Sequence, residues 1–398
     1  MNLIELAENG FIPDWLIRAG IRRLLAGRIR HERRGDVEEG QAAKNRFLES
    51  LREGPIAVAT REANLQHYEV PTEFFEMVLG PRLKYSACYF STAATTLAEA
   101  EETMLALFCE RAELSDGMEI LELGCGWGAV GLWIAEKYPN SPVVAVSNSK
   151  TQREKIERSA REKGLTNLEV ITSNIADFTT SRRFERIISV EMFEHVRNHE
   201  RLMANIAEWL RDGGKLAVHI FCHRELAYPF ETEGAANWMG RHFFTGGIMP
   251  SDDMLLHFQR DMLLEARWRV CGLHYTRTLE AWLANCDRHR DALRALFVRD
   301  LGARGSRPVS KVAHVLRGLR GTLQVPARAG VVRFALPVRQ ALSDLSGAGP
   351  SRSGIRLAAT TGSPGASAFF ASRRSGRYPE SRQDRRTGRC CTAPFPVE

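Results

Sequence analysis

No stretch of the 398-residue chain approaches the roughly 20 consecutive apolar residues that a bilayer-spanning helix requires. The opening MNLIELAENG carries early acids and no apolar core, so no secretory signal is expected. Eight cysteines are scattered, only Cys390 and Cys391 adjoin, and no C-x-x-C pair occurs. That pattern suits reduced thiols in a cytoplasmic setting better than a disulfide framework. Internal repeats are lacking too. From residue 303 on the chain has no Trp and no Asn, with Lys311 its sole lysine and Ile355 its sole isoleucine.

What is present divides by charge. The net charge of +7 arises from 17 Lys+Arg against 4 Asp+Glu beyond residue 302, leaving −6 for residues 1–302. The basic character belongs to the tail, so whole-chain charge does not argue for a nucleic-acid partner. Half of the 16 prolines also lie there, and GAGPSRSGIRLAATTGSPGASA has neither helical nor strand period. Residues 303–398 are therefore expected to be disordered, or a GC-rich gene read out of frame. The 44% hydrophobic content suffices for a sizeable core in the rest.

Residues 11–34 read as a helix opening near Pro13. Phe11, Trp15, Ile17, Ile21, Leu24 and Leu25 share one broad face, and Arg18, Arg22, Arg23, Arg28 and Arg30 take much of the rest. Peripheral contact with an anionic membrane is one reading. A helix packed on its own domain with a solvated basic face is the commoner one.

Residues 111–300 alternate strand-like runs (MEILELG, SPVVAVS, LEVITS, RIISVEM, KLAVHIF, WRVCGLHY) with helix-like stretches. Alternation of this kind predicts an α/β fold, a doubly wound Rossmann-like sheet that binds ligands beyond the carboxyl ends of its strands. In ILELGCGWGAVGLWIAEKY, Gly124, Gly126 and Gly128 lie between a strand and a helix. Glycines there allow a tight turn and close approach of backbone amides to a polar ligand. Glu122 stands just before them, a spacing that suits S-adenosyl-L-methionine rather than the G-x-G-x-x-G of a dinucleotide site. The fourth strand ends in IISVEMFEHV, placing Glu191, Glu194 and His195 at the crevice mouth. Carboxylates are costly to bury unless they are paired or used.

Residues 64–297 resemble the cyclopropane-fatty-acyl-phospholipid synthase family of S-adenosylmethionine-dependent enzymes, and within it the coclaurine N-methyltransferase-like branch. The matching stretches, in order, are HYEVPTEFFEMVLGPRLKYSACYF, LELGCGWGAVGLWIAEKYPN, VVAVSNSKTQ, SVEMFEHV, VHIFCH, HFFTGGIMPS and HYTRTLEAWL. The resemblance implies that Tyr85 and Ser86 close over the cofactor and that Gly124, Gly126 and Gly128 hold its amino-acid portion. Ser147, Asn148 and Gln152 inherit the ribose, since the second strand ends without an acid. Asn174 and Ile175 flank the adenine. Glu191 and His195 activate the substrate and Glu194 forms the site floor.

Two departures separate the chain from the lipid enzymes of that family. These hold a bicarbonate with a cysteine, a glutamate, a histidine and a tyrosine. Glu194, His219 and Tyr275 match, but the cysteine position is Ala87, with Cys88 one place later. Their usual glycine is also replaced by Glu191. Both departures favour methylation of a small-molecule amine over modification of unsaturated lipid acyl chains. A free amine is mostly protonated near neutrality, and a carboxylate or imidazole suits the removal of that proton. A base-methylating enzyme is disfavoured by a site strand ending in EMFEH rather than an Asn-Pro-Pro-Tyr type sequence. A relic without activity is the remaining alternative, suggested by the tail. The H-x₃-H spacings of His195/His199 and His219/His223 could mark zinc, but the second pair lies on a strand-like run, and no metal is expected. Trp238, Phe243 and Phe244 line a pocket or pack in the core.

The domains expected are a helical lid region at 1–110, a cofactor domain at 111–300 and the tail at 303–398. The family's last strand has no counterpart after about Phe297, so it is expected to be missing, with VVRFALPV (331–338) the one candidate substitute.

Overall fold

The computed structural model describes residues 12–33, 35–58, 71–234, 237, 240–241, 244–301 and 327–335. Among the described residues, four helices precede the sheet: α1 (Asp14–Glu32), α2 (Val37–Ser50), α3 (Thr72–Val78) and α4 (Leu97–Arg111). Their starts are set locally. The Asp36 carboxylate accepts the Glu39 amide at 2.8 Å ahead of α2, and Thr96 with Glu99 forms a reciprocal capping box ahead of α4. The alternating region then gives β1 (Ile120–Leu123), α5 (Ala129–Lys137), β2 (Val143–Ser147), α6 (Lys150–Glu162), β3 (Leu168–Thr172), β4 (Phe184–Val190), α7 (His199–Trp209) and β5 (Leu210–His223). A short ribbon follows, β6 (Tyr228–Pro229) with β7 (Ile248–Met249), then β8 (Leu263–Cys271), α8 (Gly272–Arg288), α9 (Arg290–Leu301) and β9 (Ala327–Ala335).

The seven-stranded sheet runs β3-β2-β1-β4-β5-β9-β8. The strands β1 to β5 pair in parallel, and β9 is antiparallel to both neighbours. Chain order reverses between β1 and β4, and the crevice at such a switch point takes the ligand. The sheet is covered on both faces. On β4, Ile187 faces a core with α7 residues Leu202, Met203 and Ile206. Its neighbour Ile188 faces the opposite core, with Met104, Leu105 and Phe108 of α4. Double coverage explains why the central strands read as unbroken apolar runs. Over the carboxyl ends, α3, α8 and α9 pack Phe74, Phe75, Leu279, Trp282 and Phe297 into a helical cap.

Two expectations are corrected and a third is qualified. The last strand is not missing: Ala327–Ala335 pairs from His223↔Ala327 to Lys215↔Ala335 on β5 and along β8 on its other edge. The candidate VVRFALPV overlaps it at residues 331–335, and weak alternation does not forbid a strand there, because the ladder hydrogen bonds to β5 and β8 are made by the backbone. The rest of the tail, residues 302–326 and 336–398, lies outside the described residues. Second, GLHY is not strand: after Cys271 the chain turns into α8, which carries Tyr275 in its first turn. Third, the apolar face of α1 is only partly covered. Trp15 and Leu24 are 69% and 55% exposed, Ile17, Ile21 and Leu25 are half-buried, and Phe11 lies outside the described residues. Arg18, Arg28 and Arg33 of this segment reach Glu280, Glu231 and Glu225 at 3.2, 3.2 and 3.0 Å, which fits the packed reading. None of the described helices is long and apolar enough to cross a membrane.

Candidate active site

The carboxyl ends of β1, β2 and β4 open into a cleft of about 210 Å³. After β1 the chain makes its tight turn through Gly124, Gly126 and Gly128, all with positive φ, of 78°, 51° and 85°. A side chain at Gly124 would meet Met192 at 2.7 Å, and one at Gly128 would meet Ile156 at 2.6 Å. At Gly126 a Cβ meets nothing within 4 Å, so that backbone faces open space, as a ligand cradle requires. Tyr85, Ser86, Gly124, Gly126, Ser147, Asn148, Gln152, Asn174 and Ile175 all line the cleft. Gly128 does not; it starts α5 and packs on α6. The Ser147 hydroxyl donates to Gln152 Oε1 at 2.6 Å, and Ser149 caps α6, so the polar loop is fixed in advance. Glu122 is 2% exposed with Oε2 unpartnered, and burial raises its pKa to about 8. The open backbone at Gly126, with the Glu122 carboxyl lining the same cleft, fits a zwitterionic amino-acid moiety.

The opposite wall is the end of β4. Glu191 has a φ of 49°, unusual for a residue with a Cβ. Such strain persists where the surroundings enforce it. Here the Glu191 amide donates to the His219 carbonyl at 2.8 Å. Its carboxylate accepts the Ala87 amide at 3.0 Å and the Tyr275 hydroxyl at 2.7 Å. The left-handed turn thereby aims the carboxylate across the cleft at the Tyr85–Ala87 segment. Glu194 and His195 follow on a single 3₁₀ turn, Phe193–His195. Glu194 is 1% exposed and lines the cleft, yet neither of its oxygens has a partner. Burial, reinforced by the negative charge of Glu191, lifts its pKa well above the carboxylate range. Burial raises Glu191 too, opposed by the Lys84 cation and its hydrogen bonds. The pair titrates as a unit, with the hydrogen-bonded Glu191 the better seat for the negative charge. His195 stacks on Phe244 at 5.6 Å between centroids.

Tyr275, buried and beside Glu191, stays a phenol and a donor. His219 is not brought to the cleft. It is 0% exposed, both ring nitrogens lack partners, and burial holds it neutral. His199 is likewise buried, stacked on Phe258 and bonded to the Phe193 carbonyl. Among the described residues no group of three His, Cys, Asp or Glu could hold a metal. Trp238 and Phe243 lie outside the described residues, whereas Phe244 does line the cleft.

Sequence reasoning missed Lys84. Its ammonium is 2% exposed and donates to Ser86 Oγ and the Ala87 carbonyl, each at 2.6 Å. The buried Glu101 accepts the Arg82 and Lys84 amides at 2.9 and 3.1 Å. The two charges tie down the segment that carries Tyr85 and Ser86. Trp127 and Trp282 were missed as well. They cover the cleft through the pairs Phe75–Trp127 at 4.6 Å and Tyr85–Trp282 at 5.6 Å. A lone cation in an apolar context, as in LKYSACYF, was the available signal for Lys84. Nothing local marks the tryptophans.

Comparison with known proteins agrees with this geometry. The family profile described as mycolic acid cyclopropane synthetase matches residues 58–304. (S)-Coclaurine N-methyltransferase of Thalictrum flavum subsp. glaucum is 38% identical over 304 residues, 76% of this chain and 84% of that protein. The cyclopropane-fatty-acyl-phospholipid synthase of Escherichia coli (strain K12) is 27% identical over 219 residues, 54% of each chain. The crystal structure of a coclaurine N-methyltransferase bound to N-methylheliamine and SAH superposes with a TM-score of 0.81 at 34% identity, covering 83% of this chain and 98% of that one. The cofactor is S-adenosylmethionine, and the enzyme is an N-methyltransferase with the lipid cyclopropanating enzymes as more distant relatives. The chain belongs to the mycolic acid cyclopropane synthetase family of S-adenosylmethionine-dependent enzymes, in the branch that holds the amine N-methyltransferases.

Proposed function

We propose that this enzyme methylates the nitrogen of a ring-bearing secondary or primary amine, a reading supported by its relatives named as coclaurine N-methyltransferases, with Glu191, Glu194 and His195 as the groups that receive the acceptor. The observation that carries the reading is the pairing of one committed and one uncommitted carboxylate in the same cleft. S-Adenosylmethionine supplies an electrophilic methyl group on a sulfonium. The residues of the chain bind and deprotonate the nucleophile. Glu191 is anchored on both oxygens, so it serves as a fixed negative charge that draws a cationic amine into the cleft. Glu194 has both oxygens free. Arrival of an ammonium favours ionisation of Glu194, whose own proton leaves to solvent by way of His195 beside it on the same turn; the carboxylate then takes the amine proton, and His195 passes that outward in the same way. This exchanges the roles first expected for Glu191 and Glu194. The aromatic cap of Tyr85, Trp127 and Trp282 shields the nitrogen from water. We keep the division into a lid region at 1–110 and a cofactor domain at 111–300, with Ala327–Ala335 added to the latter's sheet.

Mass spectrometry on amine pools and unsaturated phospholipids tests the assignment. An amine heavier by one methyl is expected, with lipids unchanged. Glu194→Gln and His195→Ala are expected to cut kcat about a hundred- to ten-thousand-fold with little change in cofactor affinity, whereas Glu191→Ala is expected chiefly to raise the KM of the amine. Acyl chains heavier by one methylene, with amines untouched, would overturn the reading.

A further inference from the structure

A second cavity, of about 520 Å³, adjoins the cofactor cleft. The two share Phe221, Phe244 and Tyr275, so they meet beside Glu191, which Tyr275 binds, and His195, which stacks on Phe244. The inner wall of the second cavity is aromatic. Phe230 stacks on Phe244 at 4.9 Å, and Phe221 meets Phe244 edge-on at 5.5 Å. The outer wall is α1, which contributes Arg23, Arg28 and Arg30. That wall is held in place by the Arg18–Glu280 and Arg33–Glu225 pairs at its two ends.

The charge around this cavity is one-sided. Glu231 is the single carboxylate lining it among the described residues, and Arg28 already binds it at 3.2 Å. Arg28 is further fixed by Glu32 at 2.8 Å and by the Tyr228 ring at 4.6 Å. Arg23 and Arg30 therefore leave the outer wall net positive. At the other end of the same path lie Glu191 and Glu194. A molecule spanning both cavities meets negative charge at one end, aromatic rings in the middle and positive charge at the far end. A simple cationic amine gains nothing from the arginines.

We propose that the acceptor carries an anionic group, of the carboxylate or phosphate kind, at the end remote from its amine, and that Arg23 and Arg30 of α1 recognise it. This rests on the amine reading given above and narrows the substrate class to dipolar aromatic amines. Arg23 and Arg30 are specificity residues of a binding subsite and take no part in the chemistry.

The test compares two acceptors on the full-length enzyme: a secondary benzylic amine with a para carboxylate, and its para carboxamide. The carboxylate is expected to show the lower KM, by about two- to tenfold at low ionic strength, since each contact is a solvent-screened one. The preference shrinks as salt rises. In the Arg23→Glu/Arg30→Glu double variant the KM ratio collapses or inverts. Equal or better use of the carboxamide, or a KM ratio unmoved by the double variant, overturns this inference while leaving the amine reading standing. Failure to methylate either compound overturns the amine reading, and this inference with it.

Discussion

Replacing Glu122 by Gln isolates the free energy held in the acid at the end of β1. The side chain is 2% exposed, one oxygen has no partner, and burial lifts its pKa from 4.5 to about 8. Glutamine keeps the shape and removes the ionisation. The sign follows from proton uptake. Between the unfolded value near 4.5 and the folded value near 8, the folded state holds the proton and the unfolded state has released it. Stability therefore falls as pH rises through that window, and the loss is complete above about pH 8. At about 1.4 kcal/mol for each pH unit, the rise from 4.5 to about 8 sets an upper bound on the order of 5 kcal/mol, and relaxation or water entry reduces it. Thermal unfolding of the cofactor-free protein between pH 5 and 9 reads it out. Wild type and Glu122→Gln should unfold at similar temperatures at pH 5. By pH 8 the variant should unfold roughly 5–10 °C higher. Parallel curves across the range would refute the argument, because they would mean that Glu122 is charged and solvated in the fold. The same variant should bind S-adenosylmethionine more weakly, having lost a carboxylate for the amino-acid moiety.

Three further outcomes are expected. Gly126→Asp puts a side chain and a charge into the open space of the glycine turn, in a backbone of φ 51°, so calorimetry should show loss of cofactor binding with the fold retained; unchanged affinity would discard the site. Removing bicarbonate should leave the rate unaltered, because the Ala87 amide and the Tyr275 hydroxyl are already taken by the Glu191 carboxylate; stimulation by added bicarbonate in a CO₂-free assay would contradict this. A chain ending at Leu301 loses β9, leaving β5 and β8 without their shared partner, so it should unfold at lower denaturant and aggregate, which light scattering would register; an equally stable truncation would show that the strand is dispensable.

The sheet was legible because its strands announce themselves. Runs such as VVAV and RIISV are apolar on both faces, and the glycines between a strand and a helix mark where the chain must turn. Glu191, Glu194 and His195 could be placed at the crevice for the same reason: they follow directly on β4. Other features depend on distance in the chain. That Glu191 would be clamped by Ala87 and Tyr275, 104 and 84 residues away, is a product of the fold and leaves no local trace. The burial of His219 away from the cleft follows from which face of β5 it occupies, and the family pattern alone pointed the other way. The final strand was misjudged for a different reason. Its surrounding composition resembles disorder, and the pairing that rescues it comes from two strands far upstream.

The position of β9 also sets an order of events. It inserts between β5, which ends at His223, and β8, which ends at Cys271, yet it is itself completed only at Ala335. During synthesis the two flanking strands are finished 64 residues before their common partner exists. At about 5–20 residues per second that interval is roughly 3–13 s. Throughout it the nascent sheet has two open edges where the mature one has a closed seam. Final consolidation must wait for contacts made across more than 100 residues of chain, a slow and non-local closure. The growing chain is most in need of a chaperone in that interval, after the catalytic strands are complete and before the sheet that supports them is sealed.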